Sequence, residues 1–263
     1  MLQLTDSHCH LEQLDDPEQV LAAAAAVGVS RVVTMAQEQL SMRQALDLAR
    51  RFPGQVLAGL GIHPVHVVTL EPEQLDASLR FLAEHASEAD QIGETGLDHK
   101  WATDADQQAA QDRVLDRHFE LAATHRKPVN LHSRRCPRQV MEAAIAFHRH
   151  TGLGAQLHWF TQSKKLIRAT NDAGIFVSVG PTILVDTQAA DVAVEIDDEL
   201  LLLETDAPVA IGGVAGHPSR ARDTLAKLAA LKGVEETQLA RQTEVNFANF
   251  VDPDQVHTTT GSR

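Results

Sequence analysis

The sequence predicts an α/β fold, a (β/α)8 TIM barrel, from two observations. Short apolar runs rich in β-branched residues alternate with longer amphipathic stretches, and this alternation is typical of a parallel sheet. The apolar runs begin 21 to 38 residues apart, which is the length of one strand plus one helix. Eight such units in about 250 residues match a (β/α)8 barrel. A doubly wound open sheet is the alternative that the alternation leaves open.

The elements follow one another in regular order. The predicted strands are residues 3–10, 31–36, 56–62, 90–94, 128–132, 154–158, 175–179 and 200–206. The predicted helices are residues 17–27, 39–51, 72–86, 104–126, 136–149, 163–173 and 187–194, with 219–231 and 235–250 completing and capping the barrel. Asp16 before Pro17, and Ser41, are typical helix starts, whereas Gly28 and Gly174 are typical helix ends.

The length and composition indicate one globular domain, residues 1–251, followed by a polar tail, residues 252–263. A chain of 263 residues can bury a full core, and its two cysteines, Cys9 and Cys136, are too few for a disulfide framework. The first residues contain no basic segment, and the longest apolar run, residues 21–29, is too short to span a bilayer. We therefore expect a cytoplasmic protein without a membrane partner, as a monomer or weak oligomer.

The end of the first strand carries metal-ligating side chains. Because side chains alternate along a strand, Asp6, His8 and His10 are predicted to share one face, while Cys9 points away. Two imidazoles on one face, at the carboxyl end of a strand, suit a metal ion. Two solvated loop histidines are the ordinary alternative.

Later strands end in the same kind of residue. Glu94 ends the fourth strand, His132 the fifth, His158 the sixth and Asp206 the eighth. Each has an ordinary interpretation as a rim or cap residue. A barrel, however, brings all the carboxyl ends of its strands to the face where active sites lie. Together these residues predict a metal centre.

The number of candidate ligands predicts two divalent metal ions. A tetrahedral site takes four ligands, and six are available. Glu94 can bridge, so one ion would take Glu94 with His8, His10 and Asp206, and the other Glu94 with His132 and His158. Mg, Mn and Zn are the candidate metals. The full candidate set is His8, His10, Glu94, His132, His158 and Asp206.

Other side chains receive supporting roles. Asp206, nearest the rim, is placed to accept a proton from the attacking water, so Asp206 and Glu94 are the predicted catalytic carboxylates. Glu204 and Asp6 are predicted to support the ligands, with Asp6 orienting an imidazole. His63 lacks a neighbouring carboxylate in the sequence and is interpreted as a substrate contact. The helical histidines are interpreted as surface residues, namely His85, His118, His125, His148 and His150.

The assembled motifs resemble the TatD family of metal-dependent deoxyribonucleases. The matching segments occur in family order at residues 6–11, 61–64, 92–98, 128–134, 158–160 and 204–208, and Asn246, Phe247 and Phe250 are similar to the end of the family's last helix. The resemblance implies a TIM barrel of the metallo-dependent hydrolase type, a two-metal site with the same six ligands, and hydrolysis of phosphodiester bonds in DNA, of the 3'-5' exonuclease type.

The chain departs from the family pattern around the mouth of the site. Trp159 stands where many members have a small residue, and His99 and Lys100 follow Asp98 in place of the common aromatic residue. The Arg-Asn-x-Pro segment that many members carry after the strand 8 aspartate is absent, and residues 216–220 read Gly-His-Pro-Ser-Arg. These departures concern the range of substrates.

The charge distribution restricts the kind of DNA binding. A net charge of −13 argues against a DNA-coating protein. Residues 121–171, however, contain nine basic residues and one acidic residue, with Arg134 directly after the fifth strand. About half of these cations are expected to solvate helix surfaces only. A small basic patch suits single-stranded DNA or strand ends, with Arg134 on a phosphate.

Two other functions remain open. An amidohydrolase-type barrel would cleave C–N or ester bonds of a small metabolite, but such sites often use a carboxylated lysine as the bridge, where this chain offers Glu94. A metal-bound scaffold without catalysis is the second alternative, and the retention of all six ligands disfavours it.

Overall fold

The structure is a computed structural model that describes residues 2–161 and 163–252. Most of the predicted tail, residues 253–263, lies outside the described residues. The described chain contains eight strands and ten α-helices. The strands are β1 (Leu4–Cys9), β2 (Val29–Met35), β3 (Val56–Leu60), β4 (Gln91–Asp98), β5 (Val129–Arg134), β6 (Ala155–Leu157), β7 (Phe176–Val179) and β8 (Leu201–Leu203).

The helices lie between and after the strands. They are α1 (Pro17–Ala26), α2 (Gln39–Arg51), α3 (Pro64–Thr69), α4 (Pro72–His85), α5 (Ala105–His125), α6 (Pro137–Thr151), α7 (Lys164–Ala173), α8 (Thr187–Ala193), α9 (Ala221–Lys232) and α10 (Glu236–Val251). None of those in the described chain is long and apolar enough to cross a lipid bilayer.

The strands pair in parallel and in chain order, from β1 to β8. Backbone hydrogen bonds next to β8 close the ring onto β1: Asp206 N donates to His8 O at 2.9 Å, and His10 N donates to Ala207 O at 2.6 Å. The (β/α)8 TIM barrel is therefore confirmed, and the open doubly wound sheet is excluded. All the strand carboxyl ends lie on one rim.

Local signals explain most element boundaries, and the differences have simple causes. Asp16 caps α1 by accepting from Gln19 N at 3.2 Å, and Gly174 ends α7 with a φ of 72°. The interpretation of Ser41 as a helix start is wrong. Glu38 is the N-cap of α2, and Ser41 lies one turn inside, where its amide donates to Glu38. The sequence pattern also missed α3, because six residues are too few to show a helical period.

The barrel packs its apolar residues in two places. A large cluster lies between the strands and the surrounding helices, and a smaller one closes the amino-terminal end of the barrel. In the smaller cluster Phe247 and Phe250 of α10 pack with residues of three strands, namely Val33, Met35, Phe176 and Leu202. The predicted capping role of the last helix is thus observed, and it lies at the end opposite the strand carboxyl ends.

Replacement of Phe250 tests this closure. The Phe250 side chain is 0% exposed, and Phe250→Ala leaves a cavity, so we expect the free energy of unfolding to fall by about 3 kcal/mol. Urea unfolding followed by circular dichroism measures the change. Val245→Ala on the same helix, where the side chain is 54% exposed, should change it by less than about 0.5 kcal/mol. Equal losses in both variants would show that α10 does not close the barrel.

Candidate metal centre

The six predicted ligands meet at the carboxyl ends of five strands. Five of them line a cavity of about 470 Å³ at this end of the barrel. The sixth, His8, is buried beneath the cavity. His8 and Glu94 lie within β1 and β4, His132 lies within β5, and His10, His158 and Asp206 follow β1, β6 and β8. Strands β6 and β8 are shorter than predicted, so His158 and Asp206 project from the first loop residues.

The first strand does not alternate regularly at the site. Its pairing with β2 is irregular between Asp6 and Cys9. As a result, Ser7 Oγ accepts a hydrogen bond from Gln156 of β6 at 2.9 Å, while the next residue, His8, bonds to Asn130 of β5. Adjacent side chains thus both face the barrel interior. The prediction of a period-two pattern is wrong here because a strand irregularity changes the face.

Glu94 divides the ligands into two groups, one for each carboxylate oxygen. Its Oε2 atom lies 3.7 Å from His8 Nε2 and 3.6 Å from His10 Nε2. Asp206 Oδ1 completes this first group, at 3.5 Å from His8 Nε2 and 3.3 Å from His10 Nε2. Four ligand atoms from three strands therefore surround one point.

The second group surrounds the other oxygen of the same carboxylate. Glu94 Oε1 lies 3.0 Å from His132 Nδ1 and 2.9 Å from His158 Nε2, and these two nitrogens are 3.2 Å apart. His63 Nε2 is also near, at 3.3 Å from Glu94 Oε1. The His8 and His158 rings stack with centroids 3.9 Å apart, so one imidazole of each group lies against the other.

The remaining nitrogens show which imidazoles can donate a lone pair to a metal. His10 Nδ1 lies 2.7 Å from the carbonyl oxygen of Met35, and His8 Nδ1 lies 2.9 Å from Asn130 Oδ1. Both partners accept hydrogen bonds, so Nδ1 carries the proton in each ring. In the neutral form of each ring, the Nε2 atom that faces Glu94 therefore holds the lone pair that a metal ligand requires.

The second group is oriented in the same way by carboxylates. His132 Nε2 lies 3.5 Å from Asp98 Oδ2, and His158 Nδ1 lies 3.7 Å from Glu204 Oε2. Each carboxylate favours a proton on the nitrogen facing it and leaves the other nitrogen free to bind a cation. Glu204 thus lies beside His158, one of the predicted ligands.

His63 differs from the other four imidazoles. Its Nδ1 accepts a hydrogen bond from Val65 N at 3.1 Å and caps α3, so the proton of the neutral ring is on Nε2. Burial lowers the pKa of His63 to about 4, although the Glu94 charge opposes this. At neutral pH His63 thus presents an N–H donor to the cavity. This state suits a substrate contact better than a metal ligand.

Glycine permits the close approach of β3 to the bridging carboxylate. A Cβ at Gly61 would lie 2.6 Å from the carbonyl carbon of Gly93 and 2.7 Å from Glu94 O. Any side chain at Gly61 would therefore push His63 and Glu94 apart. The Gly93–Glu94 peptide bond is cis.

The electrostatics of the site favour bound cations. Burial raises the pKa of Glu94, but the charges of His63, His158 and His8 outweigh it and hold this pKa well below its usual range. Burial also opposes ionisation of Asp206, yet the neighbouring imidazoles of His10 and His8 keep its pKa below the usual range. Both carboxylates are therefore ionised at neutral pH.

The distances fit tetrahedral metal coordination. A Zn–N distance of about 2.1 Å separates two ligand atoms of a tetrahedral ion by about 3.4 Å, and the ligand atoms above are 2.9 to 3.7 Å apart. Among the described residues, the buried His8 Nε2 has no hydrogen-bond partner, and such an atom is costly unless a cation binds it. The residues present therefore fit two divalent ions that share Glu94.

The other predicted site residues lie close by. Arg134 lines the same cavity, directly after His132 and Ser133. Asp6 lies below the ligands, where its carboxylate accepts from the backbone amides of His8 and Thr205, at 3.3 and 2.9 Å. Asp6 thus positions the backbone of two strands, whereas the sequence suggested that it orients an imidazole.

Sequence reasoning missed three supporting residues. Asn130 and Asp98 both lie in the motif segments. The histidine that each of them contacts could not be predicted without knowledge of the strand register. His118 was predicted to be a surface residue, and this is wrong. It is 0% exposed, and its Nε2 accepts from Ile62 N at 2.9 Å. The helical period of α5 indicates that His118 is buried, because His118 lies on the face that also buries Val114 and Leu121.

The fold and the site define a metal-dependent hydrolase, and comparison with known proteins gives its family. The family model described as "TatD related DNase" matches residues 5–252, so the chain belongs to the TatD family. It is 30% identical to the uncharacterized metal-dependent hydrolase YcfH of Escherichia coli K12, over 95% of this chain and 96% of that protein. It is 28% identical to the human deoxyribonuclease TATDN3, over 92% of each chain.

Solved structures agree with this assignment. The TatD homologue YJJV of Escherichia coli superposes with a TM-score of 0.83 at 27% identity and covers 94% of this chain and 97% of its own. A hydrolase of the TatD family from Entamoeba histolytica, at 17% identity, shares the fold with a TM-score of 0.82 and covers 96% of this chain and 99% of its own.

Removal of the Asn130 side chain tests the orientation of His8. In Asn130→Ala the His8 ring loses the partner of its Nδ1, so we expect metal affinity to fall about 10- to 100-fold. Competition of the protein with a chromophoric chelator for Zn²⁺ measures it. Asn249→Ala on α10, at the opposite end of the barrel, is the control. Unchanged affinity in Asn130→Ala would show that this contact does not position a ligand.

The pH dependence of metal binding follows from His10. Burial lowers its pKa, but the Asp206 hydrogen bond and the Glu94 charge outweigh burial and raise the pKa to about 9. A metal must therefore displace a proton at neutral pH. We expect Zn²⁺ affinity to increase from pH 6.5 to 9, with protons released on binding in weakly buffered solution. His150→Gln, which removes an exposed histidine, should behave like wild type, and an affinity independent of pH would contradict the assignment.

The His10 imidazole also affects the stability of the metal-free protein. The pKa of His10 is higher in the folded chain than the ordinary value of 6.5. The contribution of its ion pairs to the free energy of unfolding is therefore complete below pH 6.5 and is lost as the pH rises through about 9. Denaturant titrations of the metal-free protein should show this loss, and excess Zn²⁺ should reverse it. A free energy of unfolding that increases between pH 6.5 and 9 would contradict this role of His10.

Proposed function

We propose that this chain is a two-metal-dependent deoxyribonuclease that cleaves phosphodiester bonds, of the 3'-5' exonuclease type, in single-stranded DNA or at strand ends. One observation carries the proposal: the two oxygens of Glu94 face two separate groups of ligand atoms, His8, His10 and Asp206 on one side and His132 and His158 on the other. Such a bridge suits a pair of ions, which suits in-line displacement at phosphorus.

Asp206 is the proposed proton acceptor. Its carboxylate lines the cavity and is ionised at neutral pH because His10 and His8 stabilise the charge. Its backbone has a φ of 52°, in the left-handed region that costs a non-glycine residue energy, and such strain is common at functional sites. The carboxylate is therefore held at the rim, where it can take a proton from the attacking water.

His63 and Arg134 are the proposed phosphate contacts. The His63 ring offers an Nε2–H donor, and Arg134 adds a cation on the same cavity. Both can donate to the non-bridging oxygens of a phosphate, where negative charge develops during hydrolysis. When bound, two divalent ions would lower the pKa of water and neutralise the charge of the phosphate.

The proposed substrate follows from the size of the cavity, the local charge and the relatives. A cavity of about 470 Å³ lies in the range of small-ligand sites, about 300 to 1,000 Å³, and suits one nucleotide rather than a duplex. Arg134 lies within the basic segment of the sequence, residues 121–171. The family model and the name of the human relative also favour DNA. A cytoplasmic location and a monomeric or weakly associated state remain predictions.

The amidohydrolase alternative has less support. N-isopropylammelide isopropylaminohydrolase of Burkholderia multivorans superposes with a TM-score of 0.60 at 14% identity, a similarity that shows the fold alone. This chain offers Glu94 where such sites often use a carboxylated lysine, and no observation favours C–N cleavage.

Replacement of the proposed bridging carboxylate, Glu94, or of the proposed proton acceptor, Asp206, tests the proposal. Glu94→Gln and Asp206→Asn are expected to lower the hydrolysis of end-labelled DNA at least ~10²-fold, because each change weakens nucleophile generation and charge stabilisation together. The assay compares single- and double-stranded DNA with Mg²⁺, Mn²⁺ or Zn²⁺. Glu142→Gln, an exposed carboxylate on α6, is the control. Equal activity in wild type and both site variants would overturn the site assignment.

Tests of metal content separate a scaffold from an enzyme. If the wild type binds two metal ions per chain but hydrolyses neither DNA nor bis(p-nitrophenyl) phosphate, the nuclease proposal is wrong. If it instead hydrolyses simple amides or carboxylic esters, the amidohydrolase alternative is correct.

A further inference from the structure

Trp159 faces the metal centre although strand geometry would direct it away. It directly follows the ligand His158, and neighbouring residues of a regular strand point to opposite faces. The strand ends at Leu157, and Trp159 has a φ of 47°. This left-handed turn places Trp159 on the wall of the cavity that His158 and Glu94 also line.

The backbone of Trp159 is tied to the carboxylate that orients a ligand. Trp159 N donates to Glu204 Oε1 at 2.8 Å, and Ser178 Oγ donates to Glu204 Oε2 at 2.7 Å. The same Oε2 lies 3.7 Å from His158 Nδ1. One buried carboxylate therefore sets both the ring of a ligand and the backbone that carries the indole. The backbone that carries the indole is thereby held next to His158.

The cavity lining combines apolar residues, namely Val65, Trp159 and Val209, with polar and charged ones. Trp159 follows β6 and Val209 follows β8, and these strands are separated by β7 alone. Val209 is 38% exposed, and its amide donates to Asp206 O at 2.9 Å, so it lies one turn from a predicted ligand. Polar side chains reach the same cavity from the loops after β2 and β3, namely Gln37 and His63, and from the end of β5, namely Arg134. A nucleotide has the same combination, with a flat apolar base and a charged phosphate.

We propose that Trp159 stacks on the base of the nucleotide whose phosphate lies at the metal centre. The inference rests on the proposed nuclease function and adds a determinant of specificity to it. An indole contacts the face of a base, and every base has such a face, so this contact selects an unstacked nucleotide without selecting a sequence. Trp159 thereby makes a frayed or single-stranded end the preferred substrate.

Oligonucleotides with and without the terminal base test the contact. Two labelled single strands are compared, one ordinary and one with a tetrahydrofuran abasic residue at the end that is cleaved. We expect the wild type to cleave the abasic end with a kcat/KM about 10- to 100-fold lower, since base stacking contributes on this scale. Trp159→Ala should cleave both strands at the same low rate, and Trp159→Phe should recover most of the difference. Trp101→Ala, at an exposed tryptophan outside the cavity lining, should match wild type.

The outcomes separate the two proposals. If the wild type cleaves both ends equally, the stacking inference is wrong and the nuclease proposal stands. If Trp159→Ala still distinguishes the two ends, the inference is also wrong. If the wild type cleaves neither strand, the nuclease proposal is overturned and the inference with it.

Fluorescence provides a measurement that does not need the alanine variant to fold. The sequence has two tryptophans, so Trp101→Phe leaves Trp159 as the single reporter. Thymidine 5'-monophosphate should quench its emission saturably in the Zn²⁺-loaded protein, whereas 2-deoxyribose 5-phosphate, which lacks the base, should not. Equal effects of the two phosphates would overturn the inference.

Discussion

The buried carboxylate of Glu94 is the group on which the site depends. An ionised carboxylate in a dry interior is costly unless opposite charge surrounds it. Here five imidazoles from four strands and their adjoining loops converge on its two oxygens. The barrel makes this convergence possible, because parallel strands in a closed ring bring their carboxyl ends to one rim. Burial opposes protonation of the rings, but the surrounding carboxylates raise the pKa of His10, His132 and His158. Without bound cations these rings therefore favour the protonated form, and a bound metal ion would replace those protons.

The fixed geometry of the imidazoles comes from partners that bind no metal. Each predicted ligand ring turns one nitrogen to the centre and the other to an acceptor from another strand or the loop after it: Met35 O, Asn130 Oδ1, Asp98 Oδ2 or Glu204 Oε2. These contacts select the tautomer before any metal arrives, and they reduce the reorganisation that binding requires. The same reasoning separates His63 from the four ligands, because its second nitrogen accepts a hydrogen bond and does not donate one.

The two ends of the barrel differ in the side chains they gather and in what those side chains do. At the amino-terminal end, α10 closes the ring with an apolar cluster around Phe247 and Phe250. At the carboxyl end, polar and charged side chains gather, and non-glycine residues such as Arg135, Trp159 and Asp206 adopt left-handed backbone conformations. Packing at the closed end supplies stability, so the open end can hold strained and buried polar groups.

The sequence by itself determined the order of the elements, the barrel, and the six residues that meet at its rim. It could do so because strand and helix periods and the end of each strand are local properties of the chain. The tertiary structure decided which nitrogen of each histidine faces the centre, which face His8 takes after the irregularity in β1, and that His118 is buried. It also turned Trp159 into the cavity and paired Asn130 with His8. These properties depend on strand register and on contacts between residues far apart in the chain, and a local pattern carries no information about either.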